Sequence, residues 1–228
     1  LPQSPQMYKQ LFMMSGFPNY YQIAKCYRDE DSRKDRQPEF TQLDIEFSNA
    51  NPELVKHNIE IIVKHIFKEA FDIKITTPFN SITYEDSMSL YGTDKPDLRI
   101  KETLSDITDI FLNTDIKFIK DTINNSGKVL SLHTKNTLSR KNIDLLDESI
   151  KLLGSNGLGW FKIDNNEISG PLAKFLNDKE KSELGLFGDG LIVFQAGNLL
   201  EIAKYMDHLR REIFINNSDE VINFTWVE

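Results

Sequence analysis

The charged stretch CYRDEDSRKDRQPEFTQLDIEF, residues 26–47, carries seven acidic and four basic side chains. An arginine such as Arg28 can grip a phosphate through two parallel hydrogen bonds, and carboxylates such as Glu30 and Asp44 can hold amine groups. The stretch can therefore form a phosphate and small-molecule site. Spacing alone also leaves open a solvated hairpin whose ion pairs contribute at most about 1 kcal/mol each.

Two strands must position these side chains. Residues 20–28 and 40–47 alternate with period two, which predicts an antiparallel hairpin around a long loop, 29–38. Asp44 and Glu46 are two residues apart and therefore share a face.

A helix is predicted in front of the hairpin. Ser4 followed by Pro5 reads as an N-cap and a first-turn proline, and the helix should end near Met14. Gln6 and Lys9 are three residues apart, so they lie on one face of this helix.

After the hairpin, Asn51-Pro52 opens an amphipathic helix of about 20 residues. Segment 92–97 is rich in turn-forming residues and is a candidate domain boundary. After it, predicted strands and helices alternate. Strands are predicted at 117–120, 129–133, 158–164 and 192–195, with one helix capped by Ser139 and another opened by a capping box of Asn198 and Glu201.

Composition narrows the function classes. The 228 residues are 39% hydrophobic, which suffices for a packed core, and the net charge of −8 excludes a uniformly basic nucleic-acid face. No apolar run reaches the length of about 20 residues that a membrane helix needs. The single Cys26 fits a reducing compartment, here expected to be the cytoplasm, and the four histidines show no metal-ligand spacing.

Both ends of the chain look cut. The sequence starts at Leu1 rather than Met, and its last residues read as the start of a strand. We therefore expect a fragment of a longer protein.

Three strings carry a family resemblance. Arg28-Asp29-Glu30 with Glu39-Phe40 resembles motif 2 of class II aminoacyl-tRNA synthetases. RDEDSRKDRQPEFTQLDIE, QSPQMYKQLFMMSGF and YGTDKPDLR are similar to bacterial-type aspartyl-tRNA synthetases. The middle of the chain resembles, more loosely, the GAD domain that is inserted in those enzymes.

The resemblance implies an α+β fold: part of the class II antiparallel sheet flanked by helices, with a small α+β GAD insertion. The expected domains are residues 1–98, a partial catalytic domain with motif 2; 99–215, the insertion; and 216–228, a return to the catalytic domain.

The resemblance also implies a reaction. Such enzymes activate L-aspartate with ATP, accompanied by Mg²⁺, to aspartyl-adenylate and transfer the aspartyl group to tRNA. No bound organic cofactor and no metal site are expected in this chain. Arg28 matches the arginine that bridges the aspartate carboxylate and the α-phosphate, and Glu30 and Gln37 match other ATP contacts.

The resemblance also implies roles for further residues of this chain. Gln6 and Lys9 match residues that hold aspartate, and Lys9 is expected to read its side-chain carboxylate. Ser4 and Asp44 are candidates for its α-ammonium group. The loop arginines Arg33 and Arg36 match residues that approach the acceptor end of the tRNA.

The sequence departs from the family in what it lacks. Residues 1–228 contain no anticodon-binding domain, no motif 1 helix for dimerisation and no glycine-rich motif 3. We expect the parent to be a homodimeric enzyme that does not enter a membrane, and this isolated piece to be inactive. Two alternatives remain: a tRNA- or protein-binding module built on the insertion, and a catalytically dead regulatory paralogue.

Overall fold

A computed structural model describes residues 1–31, 36–136, 138–215 and 222–228. Contacts within the chain divide it into two units, Leu1–Pro78 and Phe79–Glu228, and each unit is described by itself. The three domains expected from the sequence have different boundaries and stay a prediction, and residues 216–221 lie outside the described residues.

The first unit contains a helix near the start of the chain, a β-hairpin and a long second helix, as predicted. Its elements are α1 (Gln6–Met14), β1 (Asn19–Tyr27), β2 (Glu39–Phe47) and α2 (Pro52–Phe71). Asn51 caps α2 by accepting a hydrogen bond of 2.8 Å from the backbone N–H of Leu54. The predicted cap of α1 is wrong: Pro5, not Ser4, occupies the N-cap position, and no side chain of the described residues caps this helix.

The hairpin has a covered polar face and an open apolar face. In the antiparallel register Gln22 lies opposite Asp44, so the even-numbered polar residues share one side. On the other side Tyr21 and Ile23 are 73% and 74% exposed. At these two positions the usual arrangement, with apolar side chains inside, is reversed.

The second unit is built on short elements that alternate between strands and helices. They are β3 (Asn80–Ile82), α3 (Tyr84–Tyr91), β4 (Ser105–Asp106), α4 (Lys117–Asn124), β5 (Lys128–Thr134), α5 (Arg140–Leu152), β6 (Gly159–Asp164), β7 (Glu167–Ser169), α6 (Asp178–Gly185), β8 (Gly190–Gly197), α7 (Leu199–Phe214) and β9 (Thr225–Val227).

Five of these strands form one antiparallel sheet in the order β4-β5-β8-β6-β7, and β3 pairs separately with β9 in parallel. Leu191 and Val193 pack with α5 and α7 on one face, whereas Ile192 and Phe194 pack into a second core on the other. Because both faces are covered, β8 reads as a continuous apolar run. The predicted α+β class, with an antiparallel sheet flanked by helices, is confirmed.

Two local predictions in this unit are wrong. Lys117 to Lys120 begins the helix α4 rather than a strand, because Ile119 and Ile123 repeat at helical spacing and pack into the same core. Asn198 caps α7 through the N–H of Leu200, but no capping box with Glu201 forms there.

Within the described ranges, no helix combines the length and the apolar character that crossing a bilayer requires.

Candidate active site

The first residues of the chain lie along the hairpin of the first unit. The N–H of Tyr27 donates to the carbonyl of Pro2 at 2.9 Å, and the side-chain amide of Gln22 lies 3.4 Å from the carbonyl of Pro5. The N–H of Arg28 donates to Pro38 at 2.9 Å and extends the pairing by one residue beyond the strands. This segment, with α1, covers the polar face.

Arg28 is held over the polar face of the hairpin. Its guanidinium carbon lies 5.1 Å from the ring centroid of Phe40, and its Nε lies 3.4 Å from the carbonyl of Gln3. The cation–π contact fixes the plane of the guanidinium, while the side chain stays 41% exposed. The terminal nitrogens of the fork thus remain accessible to a ligand.

Glu30 lies between two arginines. One carboxylate oxygen is 3.9 Å from Arg28 Nη1, and the other accepts a hydrogen bond from Arg36 Nη1 at 3.3 Å. All three side chains are more than one third exposed, so these ion pairs hold the group only weakly. An incoming ligand can displace them.

Lys9 joins the helix α1 to the strand β2. Its Nζ lies 3.1 Å from Asp44 Oδ1 and 2.5 Å from Glu46 Oε1, and its side chain is 13% exposed. The other oxygen of Asp44, Oδ2, is buried and accepts no hydrogen bond from the described residues. Two residues expected to contact opposite ends of aspartate therefore pair with each other.

The two carboxylates change the titration of this lysine. Hydrogen bonds to Glu46 and then to Asp44 raise the pKa of Lys9 above its ordinary value of 10.5. Lys9 is therefore a fixed cation at neutral pH.

A shallow groove runs between α1 and β2. Gln6 and Lys9 line it together with Glu46 and three further residues of α1, Gln10, Met13 and Met14. Arg28 and Asp44 are not among its lining residues. Ser4 and Gln37 are exposed, and Arg33 lies outside the described residues.

Sequence reasoning pointed to the positions of Glu46 and Phe40 but not to their contacts. The period-two alternation placed Glu46 on one face with Asp44, without its ion pair to Lys9. Phe40 entered through the family resemblance, but its contact with Arg28 depends on the register that sets Phe40 opposite Cys26.

Cys26 is fully buried, with its sulfur 3.2 Å from Gln42 Oε1, which agrees with a packing residue. In the part of the chain that the structure describes, no group of three or more His, Cys, Asp or Glu side chains could hold a metal ion.

Comparison with known proteins places the chain in a family. The model described as "tRNA synthetases class II (D, K and N)" matches residues 1–228. A protein of Hydrogenobaculum sp. (strain Y04AAS1), named aspartate–tRNA(Asp/Asn) ligase, is 43% identical over 234 residues, which cover 100% of this chain and 39% of the relative.

Two further relatives give the same picture. The aspartate–tRNA(Asp/Asn) ligase of Borreliella afzelii (strain PKo) is 46% identical over 220 residues, covering 93% of this chain and 38% of that protein. The aspartate–tRNA ligase of Lactobacillus acidophilus is 41% identical over 237 residues, covering 100% and 39%. The chain thus spans about two fifths of the length of these curated relatives.

Proposed function

The chain belongs to the class II tRNA synthetases of the D, K and N group, and on this premise we propose that it is part of an aspartate–tRNA ligase. The enzyme activates L-aspartate with ATP and passes the aspartyl group to tRNA. The names of the relatives support the choice of aspartate within the group. The observation that carries the proposal is the accessible guanidinium of Arg28 on the polar face of the hairpin.

Arg28 acts on the first half of the reaction. An oxygen of the aspartate α-carboxylate attacks the α-phosphorus of ATP, the bond to the bridging oxygen breaks, and pyrophosphate leaves. Two anions must approach each other in this step. A guanidinium that contacts both offsets their repulsion and aligns them, so catalysis consists of positioning and charge stabilisation.

Lys9 reads the side chain of the amino acid. The carboxylate of aspartate takes a place beside the ammonium group of Lys9, which Asp44 and Glu46 keep charged and oriented. Asparagine offers only a neutral amide, whose hydrogen bond to the Lys9 ammonium group is weaker than that of a carboxylate, and this disfavours asparagine. Gln6 lines the same groove, and Asp44 and Ser4 are proposed partners of the substrate α-ammonium group.

The loop side of the hairpin serves ATP and tRNA. We assign Glu30 to the adenine end of ATP, where it would exchange its weak arginine contacts for the exocyclic amine, and Gln37 to another contact with ATP. Arg36, together with Arg33, would approach the acceptor end of tRNA. Mg²⁺ would accompany ATP; among the described residues, no group of three or more His, Cys, Asp or Glu side chains could hold a metal ion.

The remaining features of the whole protein belong to the same proposal. They are a homodimeric parent, a cytoplasmic location and an insertion at residues 99–215 within the catalytic domain.

Isotope exchange between pyrophosphate and ATP tests the proposal. The full-length protein that contains this chain should catalyse exchange in the presence of aspartate and only weakly with asparagine or lysine, the other amino acids of the group. Exchange that depends on lysine or asparagine instead would overturn the assignment to aspartate.

A further inference from the structure

The second unit contains a cleft of about 670 Å³ that the proposed reaction does not use. It lies where β6 begins and β8 ends, between the glycine-rich loop 154–158 and the first turn of α7. A volume of several hundred Å³ is typical of small-molecule sites. The walls include apolar side chains, among them Phe118 and Leu172.

A polar network fixes the floor of this cleft. Gln195, only 6% exposed, donates to the carbonyl of Gly157 at 2.7 Å and accepts a hydrogen bond from Ser155 at 2.9 Å. The N–H of Leu158 donates to Asp147 at 2.7 Å. These bonds hold the loop in one conformation, so the cleft is pre-formed.

Four polar side chains that line the cleft, those of Thr122, Asn156, Glu201 and Tyr205, make no hydrogen bond or ion pair with the described residues. Tyr205 is 9% exposed, and its hydroxyl lies 3.4 Å from the position a Cβ at Gly154 would occupy. The ring is buried, whereas the hydroxyl oxygen keeps some accessible surface at the cleft and forms no hydrogen bond with the described residues. Glu201 also lines the cleft and makes no ion pair within the described ranges.

The charged residues around the cleft indicate whether a bound ligand should be positive or negative. Among the described residues that line the cleft there is no lysine or arginine. Asn198 already accepts the hydrogen bonds of the N–H groups of residues 200, 201 and 202, so these three donors at the start of α7 are occupied. Asp147 is paired with Lys151 at 2.6 Å, which leaves Glu201 as the available charge.

We propose that this cleft binds a primary ammonium group carried on a hydrocarbon chain. The ammonium group donates to the carboxylate of Glu201 and to the hydroxyl oxygen of Tyr205, and Phe118 offers an aromatic face. The hydrocarbon chain lies against Phe118 and Leu172. A free polyamine and a lysine side chain of a protein carry the same chemistry.

Calorimetric titration of the 228-residue chain tests this assignment with two probes. One is spermidine, and the other is a short peptide with blocked ends and one lysine, compared with its norleucine counterpart. Binding of spermidine alone identifies a free amine as the ligand, and binding of the lysine peptide but not the norleucine peptide identifies a protein side chain. Binding of neither at millimolar concentration overturns the proposal.

Variants locate the site. Glu201→Gln and Tyr205→Phe should each weaken binding, the former about tenfold, as expected for the loss of a charge-assisted hydrogen bond. Glu212→Gln removes the same charge from an exposed position on the same helix and should change affinity less than twofold. Equal weakening by Glu201→Gln and Glu212→Gln would show only non-specific attraction to an acidic surface and would refute the site. Circular dichroism verifies that each variant is folded.

Discussion

The ammonium group of Lys9 lies 2.5 Å from the carboxylate of Glu46, and the same ammonium group is 3.1 Å from Asp44. One cation therefore bridges a helix and two neighbouring positions of a strand. The contact joins elements that are distant in sequence and sets the orientation of a proposed substrate-binding group.

Replacement of Lys9 should affect substrate selection. Lys9→Met in the full-length protein is expected to raise the KM for aspartate at least about tenfold, because a charge-assisted contact worth at least about 1.5 kcal/mol is lost. The discrimination against asparagine should also fall. Aspartate-dependent pyrophosphate exchange measures both quantities.

Lys25→Met provides the matched control. Lys25 belongs to the same hairpin but is 70% exposed and paired with Glu39 on the other side. Its loss should leave the exchange unchanged, and an equal effect of both substitutions would contradict the role of Lys9.

The Lys9 contacts should also give stability a particular pH dependence. A pKa raised in the folded state means that the contribution is fully present below the unfolded value of 10.5 and is lost as pH rises through the folded pKa. The difference in unfolding free energy between the native chain and Lys9→Met should therefore be constant from pH 7 to 9 and shrink at higher pH. Urea titrations at a series of pH values measure it, and a difference that grows above pH 10.5 would disprove the assignment.

Arg210 should be the most sensitive charged residue of the second unit. It is fully buried, and its guanidinium donates to the carbonyls of Glu102, Asp97 and Ile100 at 2.6, 2.7 and 2.6 Å. Burial lowers the pKa of Arg210 below its ordinary value. Arg210→Met would leave the three carbonyls without this donor, at a cost of about 3 kcal/mol or more in unfolding free energy.

The neighbouring Arg211 is the control for this prediction. Its ion pair with Asp207 lies nearer the surface, so Arg211→Met should cost about 1 kcal/mol or less. If urea unfolding showed the same decrease in unfolding free energy for Arg210→Met and Arg211→Met, the proposed contribution of the buried hydrogen bonds of Arg210 would be refuted.

Two glycines should respond to alanine in opposite directions. A Cβ at Gly159 would lie 2.4 Å from the ring of Phe194, so Gly159→Ala should destabilise the chain by about 1–3 kcal/mol. A Cβ at Gly185, in α6, meets nothing within 4 Å, and Gly185→Ala should be neutral or stabilise by up to about 1 kcal/mol. Thermal unfolding of the pair measures this, and a stable Gly159→Ala protein would show that the ring can move aside.

Local patterns predicted much of the fold. The alternation along β1 and β2 and the caps at Asn51 and Ser139 were sufficient to place these elements. The strand predicted at Lys117 failed because four residues are too few to separate alternation from helical spacing. The capping box expected at Asn198 forms instead at Asn177 and Glu180, and no local rule distinguishes the two sites.

The candidate active site and the contacts of Arg210 could be predicted only in part from the sequence. Residue types and the family resemblance suggested Arg28, Lys9 and Asp44, but the pairing of Lys9 with Glu46 requires the position of α1 over β2. Likewise, nothing local to YGTDKPDLR reveals that carbonyls at and just beyond this string bind Arg210, more than 100 residues later. Long-range contacts of this kind depend on how the elements pack.

The proposed role of Arg28 is tested most directly by aspartate-dependent pyrophosphate exchange in full-length Arg28→Gln. Removal of a group that stabilises developing charge should lower the rate about 100-fold or more, while the fold and the unfolding midpoint stay unchanged. Lys25→Gln, on the same hairpin, should retain the native rate. An Arg28→Gln enzyme that exchanges within twofold of the native protein would contradict the account.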